Sequence, residues 1–453
     1  MKKILFSEKV LFSRKNNLSI ISGFVFFVFL VANSGSAYAV PSFARQTGLS
    51  CAACHTVFPE LTSFGRQFKL NGYTMTNIKT ISQKITKANK EEKTSLRLLK
   101  IAPLSAMFQT GLTHVATTVP GTQNYDVEFP QQMSLFYAGQ ISTHMGSFIQ
   151  LTLDDGSGTF GMDNTDIRYA NTGKGKTPFL YGFTLNNNPT VQDVWNSTPA
   201  WGYPYTGSGA APTPDAGTMI ENLGGTVAGL GAYTMIANTV YLEFSGYRTA
   251  QLGAAMPPDA SITGALKGIA PYWRLAIQHQ WTKSYLEVGT YGMSTQMYPA
   301  GVSGLTDNYT DLALDLQYEY QFSNGQFTLH SAYINEKQNL NSTFGTGGSE
   351  NSSNNLNKFD LDASLFLHPG VNFTLGYFDY SGTSDNVLYG YRLPSPNSNG
   401  VMAQVDYLPW QNTKISLQYT AYGKFDGASA NYDGTNRNAS DNNTLYLQLW
   451  FLF

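Results

Sequence analysis

Cys51-Ala52-Ala53-Cys54-His55 contains both cysteines of this chain, and its C-x-x-C-H spacing is that of c-type haem attachment. Two thiols add across the two haem vinyl groups, the two intervening residues set the span between them, and the histidine that follows lands beneath the iron as proximal ligand. Competing chemistries lack partners. A structural zinc site needs four ligands, and no second cysteine pair exists. A thioredoxin-like redox pair needs an α/β domain around it. Two cysteines this close cannot staple a fold, so they mark a site: one covalently bound c-type haem, held by Cys51 and Cys54 with His55 on the iron.

The neighbouring residues suit a minimal haem pocket. Pro59 can open a helix, Leu61, Phe64 and Phe68 recur at three and four residues, and Gly72 can close it. That apolar face either covers the porphyrin or packs as an ordinary amphipathic helix. Arg45, Arg66 and Lys69 are candidates for pairing with haem propionates, although basic residues near a membrane need no such role. The sixth iron ligand is left open. Met75 closes the compact segment and is the first candidate; His330, on the inward face of its strand, and His144 and His368, in turns, are others, and a water-ligated iron is a further option.

The elements that must position this site begin with an export signal. Lys2, Lys3, Lys9, Arg14 and Lys15 precede the apolar run Leu18–Ala32, and Ala37-Tyr38-Ala39 supplies an A-x-A cleavage site. A run of fifteen residues is short for a bilayer span, so residues 1–39 read as a signal peptide. The chain is 13% charged and 14% aromatic with net charge −2, whereas a soluble domain carries about 25% charged residues. No later stretch is apolar enough for a transmembrane helix. The near-neutral balance also argues against a nucleic-acid partner.

From Ile101 onward the pattern has period two. Leu312, Leu314, Leu316, Tyr318 and Tyr320 alternate with Asp311, Asp315, Gln317 and Glu319; Phe359, Leu361, Ala363, Leu365 and Leu367 alternate with Lys358, Asp360, Asp362 and Ser364; Ile415, Leu417, Tyr419 and Ala421 alternate with Lys414, Ser416, Gln418 and Thr420. Too little other apolar material exists for a second layer, so apolar-out and polar-in is the better reading. Short turns near 143–146, 237–238, 281–282, 323–325, 368–370 and 409–412 alternate with long Gly/Ser/Asn-rich loops near 187–224, 249–269, 337–355, 381–397 and 424–440. The final run Leu445, Leu447, Leu449, Phe451, Phe453 ends in an aromatic carboxy-terminus, as chains delivered to the barrel assembly machinery commonly do.

These patterns predict an all-β fold: a 16-stranded antiparallel transmembrane outer-membrane β-barrel carrying a small, mainly α, N-terminal c-type haem segment. The expected organisation is a signal peptide at 1–39, a monohaem cytochrome c segment at 40–76, a charged linker at 77–100 and the porin-like barrel at 101–453. An even strand number puts both termini on the periplasmic side of the outer-membrane lipid. A segment of under forty residues cannot wall a porphyrin alone, so it is expected in or against the periplasmic mouth of the lumen. The segment Asn186–Asn196, continuing to Tyr203, carries prolines and aromatics unlike the other loops; it folds into the lumen, with Asp193 able to attract cations, or packs on the surface. The inward acids Asp311, Asp315, Glu319, Asp360 and Asp362 either draw cations inward or hydrate a polar lumen.

Ser42-Phe43-Ala44-Arg45-Gln46-Thr47-Gly48, Phe58-Pro59-Glu60-Leu61-Thr62-Ser63-Phe64-Gly65-Arg66 and Phe68-Lys69-Leu70-Asn71-Gly72-Tyr73-Thr74, flanking the haem motif, closely resemble the fused cytochrome–porin outer-membrane iron oxidases of iron-oxidising bacteria. The resemblance covers the whole architecture, but its specific motifs lie in the first hundred residues. It implies haem binding by Cys51, Cys54 and His55, oxidation of extracellular Fe(II), and transfer of electrons to a periplasmic cytochrome or other carrier. It supplies no iron-binding residue. Ser63 stands where the family frequently has proline, a departure that bears on how the following helix begins.

The leading functional expectation is therefore an Fe(II)-oxidising electron-transfer oxidoreductase. An outward electron conduit and a diffusion porin with an accessory haem domain are the alternatives. Replacing Cys51 and Cys54 together by alanine is expected to abolish haem staining of the denatured protein; staining that survives would overturn the attachment site.

Overall fold

The computed structural model describes residues 42–56, 58–76, 103–154, 158–173, 175, 177–198, 206–250, 264–390, 393–410 and 412–453. The expected signal peptide at 1–39 and charged linker at 77–100 fall outside the described residues. Among the latter, period-two alternation becomes sixteen strands: β1 Leu104–Val115, β2 Asp126–Ser142, β3 Met145–Asp154, β4 Thr159–Gly173, β5 Phe179–Asn186, β6 Val227–Ile236, β7 Val240–Thr249 and β8 Ala270–Gln280. They continue as β9 Ser284–Tyr298, β10 Asp307–Phe322, β11 Gly325–Asn339, β12 Ser353–Leu367, β13 Val371–Gly382, β14 Ser398–Trp410, β15 Thr413–Lys424 and β16 Thr444–Leu452. Each pairs antiparallel with the next, and a two-residue piece, Ala265–Leu266, extends the sheet beside Met297 and Tyr298.

The sheet closes on itself. β1 and β16 pair in continuous register from Met107 opposite Leu452 to Val115 opposite Thr444, and Ala106 and Phe453 exchange backbone hydrogen bonds. Closure leaves no edge strand among the sixteen, so each is hydrogen-bonded to a neighbour on both sides, the condition for crossing hydrocarbon.

Side-chain parity sorts the two faces as the alternation predicts. Leu312 and Leu314 are 52% and 60% exposed on the outside, while Asp311, Asp315 and Glu319 between them are buried in the lumen. Leu445, Leu447 and Leu417 likewise face out, and Lys414, Ser416 and Gln418 face in. This is an apolar belt around a polar interior, the signature of a membrane barrel. No described helix is long and apolar enough to cross a membrane.

Tight turns at 143–144, 237–239, 281–283, 323–324 and 368–370 gather at one end, and longer connections, among them 187–226, 340–352, 383–397 and 425–443, at the other. Both β1's start and β16's finish lie at the short-turn end, and the N-terminal segment fills the lumen there. It comprises α1 Ser42–Thr47, α2 Cys51–Cys54 and α3 Ser63–Leu70. Ser42 Oγ and Gln46 Nε2 donate to the Ala138 carbonyl of β2, and Thr76 Oγ1 donates to Thr143 O in the turn after it. Gly72 has φ +68°, and a Cβ there would stand 3.0 Å from Arg168 O of β4.

The helix after the haem motif starts later than its sequence suggests. Phe58 and Pro59 form a turn, and Thr62 caps α3 by accepting from Gly65 N at 3.1 Å. A hydroxyl that bonds an otherwise orphaned first-turn N–H is a stronger start signal than a proline three residues upstream.

A charge in the middle of the outer belt tests the barrel assignment. Leu447 sits between Leu112 and Leu417 on the outer face, and Leu447→Arg is expected to destabilise the folded barrel by about 2–4 kcal/mol, read as a lower urea midpoint by heat-modifiability on gels. Gln448→Arg, on the lumenal side, tests burial instead and gives the contrast; equal tolerance of Leu447→Arg and Leu447→Ala would contradict a lipid-facing position.

Candidate functional site

A porin-type lumen is polar, yet several patches of this lumenal wall are not, and one of them faces the cysteines. Met107 on β1, Phe136 and Ala138 on β2, Phe148 on β3, and Trp450 and Leu452 on β16 stand on adjacent strands at the short-turn end and pack as one apolar cluster with Cys51 and Phe58. Between this wall and the N-terminal segment lies a cavity with about 1320 Å³ of empty space including its open mouth. The segment lines its side of the cavity with Phe43, Cys51, Cys54, His55, Leu61 and Phe68. Aromatic contacts hold that side together: Phe43 packs edge-on against Phe68 at 5.1 Å and stacks on Tyr73 at 5.4 Å, and Phe58 reaches Trp450 at 6.2 Å.

Gly65 lets α3 approach the cysteines. A Cβ at that position would stand 2.3 Å from Cys54 O and 3.1 Å from Leu61 Cδ2, so no larger residue fits without moving α2 and α3 apart. Thr62 ties the same junction, donating through Oγ1 to Ala53 O at 2.8 Å while its N–H reaches Cys54 O.

The donor set fits a covalently attached haem. Both thiols and the imidazole open onto one apolar space. His55 Nδ1 lies 3.3 Å from Pro59 O and 3.2 Å from Glu60 O, so the Nδ1–H tautomer is favoured and Nε2 keeps its lone pair, as a metal-bound histidine requires. Desolvation lowers the His55 pKa, which also favours the neutral ligand form. Burial pushes the Cys51 thiol up to about 11 and the Cys54 thiol up to about 12. That is the opposite of the depressed values that activate a thiol–disulfide redox pair. Glu60, whose carbonyl orients His55, accepts from Thr56 Oγ1 at 2.8 Å, and burial raises its carboxyl to about 7.

Other expected roles are redistributed. Arg66 does not line the cavity: its guanidinium pairs with Glu319 of β10 at 2.5 Å, donates to Leu61 O and lies over the Tyr285 ring. It docks the segment onto the wall and is not free for a propionate. Arg45 donates to Leu104 O and is likewise outside the cavity lining. Lys69 lines the cavity, but its Nζ is bound by Val191 O and Asp193 O at 2.5 and 2.9 Å. Phe64 is not among the lining residues, and neither is Met75, which lies with Thr76 beside the 143–144 turn. His330 does face inward and lies 3.5 Å from Asp362, while His144 and His368 sit in turns. Ser63, the departure from proline, begins α3 and donates to Gln280 Oε1 of β8 at 3.0 Å.

The unusual segment after β5 folds into the lumen. Residues 190–198 are buried, and Val191 and Asn196 reach the cavity; residues 199–203 lie outside the described ones. Asp193 accepts from Trp195 N and Ser197 N and lies 3.6 Å from Arg274. Arg274 also pairs with Asp315 at 2.6 Å and Glu287 at 3.1 Å. Asp193, Asp315 and Glu319 are thus engaged with arginines and are not free to collect cations. The chain then runs back along the lumen, where Lys414 Nζ and Gln418 Nε2 donate to Thr206, to a short helix α4, Met219–Asn222, whose first N–H groups donate to Glu336 and Asp311.

The fold and this interior define a porin-like outer-membrane β-barrel with an internally packed N-terminal segment. No protein-family model matches the chain, and no curated protein matches it. It is similar in fold to solved outer-membrane proteins. These include a loop L8 deletion mutant of OmpT from Vibrio cholerae (11% identity, covering 77% of this chain and 98% of that one, TM-score 0.44). OmpF of Salmonella typhi (11%, 77% and 97%, 0.44) and the anion-selective porin of Comamonas acidovorans (11%, 77% and 98%, 0.44) are further neighbours.

Removing the Arg66 guanidinium tests the docking. Arg66→Ala leaves Glu319 buried without its cation, a change worth about 3–5 kcal/mol for a buried pair. The N-terminal segment is expected to become protease-sensitive while the barrel stays heat-modifiable; unchanged protection would show that the ion pair does not hold the segment.

Proposed function

We propose that this protein is an outer-membrane electron conduit that oxidises extracellular Fe(II) and delivers the electrons, through one c-type haem, to a periplasmic cytochrome or other carrier. One observation carries the reading: of the apolar patches on the lumenal wall, one lies against Cys51, Cys54 and His55 and lines a cavity with them. Side chains on four strands, far from the C-x-x-C-H motif in sequence, have the character needed to cover a porphyrin. When bound, the haem would supply reversible one-electron chemistry at its iron.

The protein's own residues do the rest. Cys51 and Cys54 would hold the ring, the Pro59 and Glu60 carbonyls orient His55, and the apolar walls would cover the porphyrin. Placing the short-turn end in the periplasm, as barrels of this class are oriented, sets the site beside its soluble acceptor. Toward the other mouth the lumen is packed with rings. Trp195 Nε1 donates to Tyr285 at 2.7 Å, and Arg274 stacks over Trp195 and Tyr291 at 4.8 and 5.0 Å. Tyr272 lies 6.4 Å from Tyr291 and Tyr247 6.5 Å from Tyr272. Electrons tunnel better through such dense matter than through a water gap. The resemblance of the N-terminal segment to iron oxidases supports the inward direction, and Fe(III), which precipitates near neutral pH, is then made outside the periplasm.

A diffusion porin is the second reading. The burial of Arg168 and Arg274, 0% and 1% exposed deep in the lumen, weighs against it, because pore-lining arginines in a water channel stay wet. In planar bilayers the protein is expected to lack the large, steady conductance of a 16-stranded porin; such a conductance would favour the porin. Fe(II) added to the oxidised protein in detergent is expected to reduce the haem bands. A haem that dithionite reduces but Fe(II) does not, across a range of pH, would overturn iron oxidation.

A further inference from the structure

We propose that Met107, on the first barrel strand, is the sixth ligand of the haem iron. The inference rests on the haem reading above and assigns the iron's second axial position to the barrel instead of to the N-terminal segment.

A distal ligand from the protein would come from the cavity lining, and most of the donors among its described residues are engaged. Lys69 Nζ is held by two carbonyls, and Tyr73 OH donates to Asp166 Oδ2 at 2.7 Å. Ser42 Oγ and Thr47 Oγ1 donate to backbone carbonyls, and Ser105 Oγ accepts from Ser42 N. Trp450 carries an N–H donor with no lone pair to give. Ser50 adjoins Cys51 on the same stretch of chain that carries the haem attachment, and the Asn196 amide oxygen is a hard donor poorly suited to haem iron. Met107 is different in kind. Its thioether is a soft, neutral donor of the type that, opposite histidine, completes the iron sphere in cytochromes c.

Among the described inward methionines of the wall, which include Met235, Met293 and Met402, it is the one that lines the cavity. Met107 shares its inward parity with Gln109, Gly111 and Thr113, and it is 3% exposed within the cluster containing Cys51, Phe58 and Trp450. Gln109 Nε2 donates to Met107 Sδ at 3.3 Å; a thioether sulfur has two lone pairs, so this bond steadies the side chain and leaves one pair free. Cys51, Cys54 and His55 come from the segment and Met107 from the wall, and all four line the same cavity. Ligation would bind the segment to the barrel through the iron.

The experiment uses the full-length protein purified in detergent. Wild type is expected to show the weak far-red absorption band of thioether-ligated ferric haem and no rapid binding of carbon monoxide when reduced. Met107→Leu keeps the volume and should preserve the barrel and haem staining, yet abolish the band, open the ferrous iron to carbon monoxide and lower the midpoint potential. Met107→His should restore six-coordination with a bis-histidine spectrum, a rescue that a merely packing role would not give. Met75→Leu should leave all of these unchanged. The band persisting in Met107→Leu, its absence from wild type, or its loss in Met75→Leu alone would overturn the assignment. Wild type without covalent haem would instead defeat the reading on which it rests.

Discussion

In hydrocarbon a backbone N–H or C=O has no water to fall back on, so β1 must find β16 or neither can stay in the membrane. That closure, running from Met107–Leu452 to Val115–Thr444, also creates the site. It brings Met107 beside Trp450 and Leu452 and completes a wall with Phe136, Ala138 and Phe148 on the next two strands. The seam that makes the barrel a barrel is thus the seam against which the cysteine segment packs. A haem here would be enclosed by both ends of the barrel sequence at once.

The interior is held by charge as well as by apolar contact. Placing guanidinium groups inside a protein is costly unless each meets carboxylates with good geometry, and Arg66, Arg168 and Arg274 do so through Glu319, Asp166 and Asp315. These pairs tie different parts of the lumen: Arg66 joins the N-terminal segment to β10, and Arg274 joins the inward loop to β8, β9 and β10. Lys69 adds a link from α3 to that loop through the Val191 and Asp193 carbonyls. Segment, loop and wall therefore form one polar core with an apolar pocket at its edge. Acids that in an open pore would attract cations here neutralise the arginines that assemble this core.

The same facts support the conduit proposed above over a diffusion channel. In a diffusion channel the inward residues face water, and the loop that enters the lumen only narrows it. Here residues 190–198 are buried, and 206–222 line a second course through the lumen bonded to β10, β11, β14 and β15. An interior of this kind suits the holding of a cofactor at fixed depth between two aqueous compartments.

Two features were legible in the residues alone because they are local. The C-x-x-C-H motif is five consecutive residues, and strand parity is fixed by the pleat, so the motif itself, Leu312 facing out, Asp311 and His330 facing in, and the alternation of short turns with long loops followed directly. The tertiary structure decided what depends on positions distant in the chain. Met107 and Trp450 meet because the first and last strands pair, 343 positions apart by number; Arg66 faces Glu319 instead of the cavity because α3 lies against β10; Met75 is carried to the 143–144 turn by the bend at Gly72. A residue such as Met107 carries a faint signal in sequence, an apolar side chain on the polar parity of β1. Only closure of the barrel gives that signal a neighbour, because parity says which way a side chain points and says nothing of what it will meet.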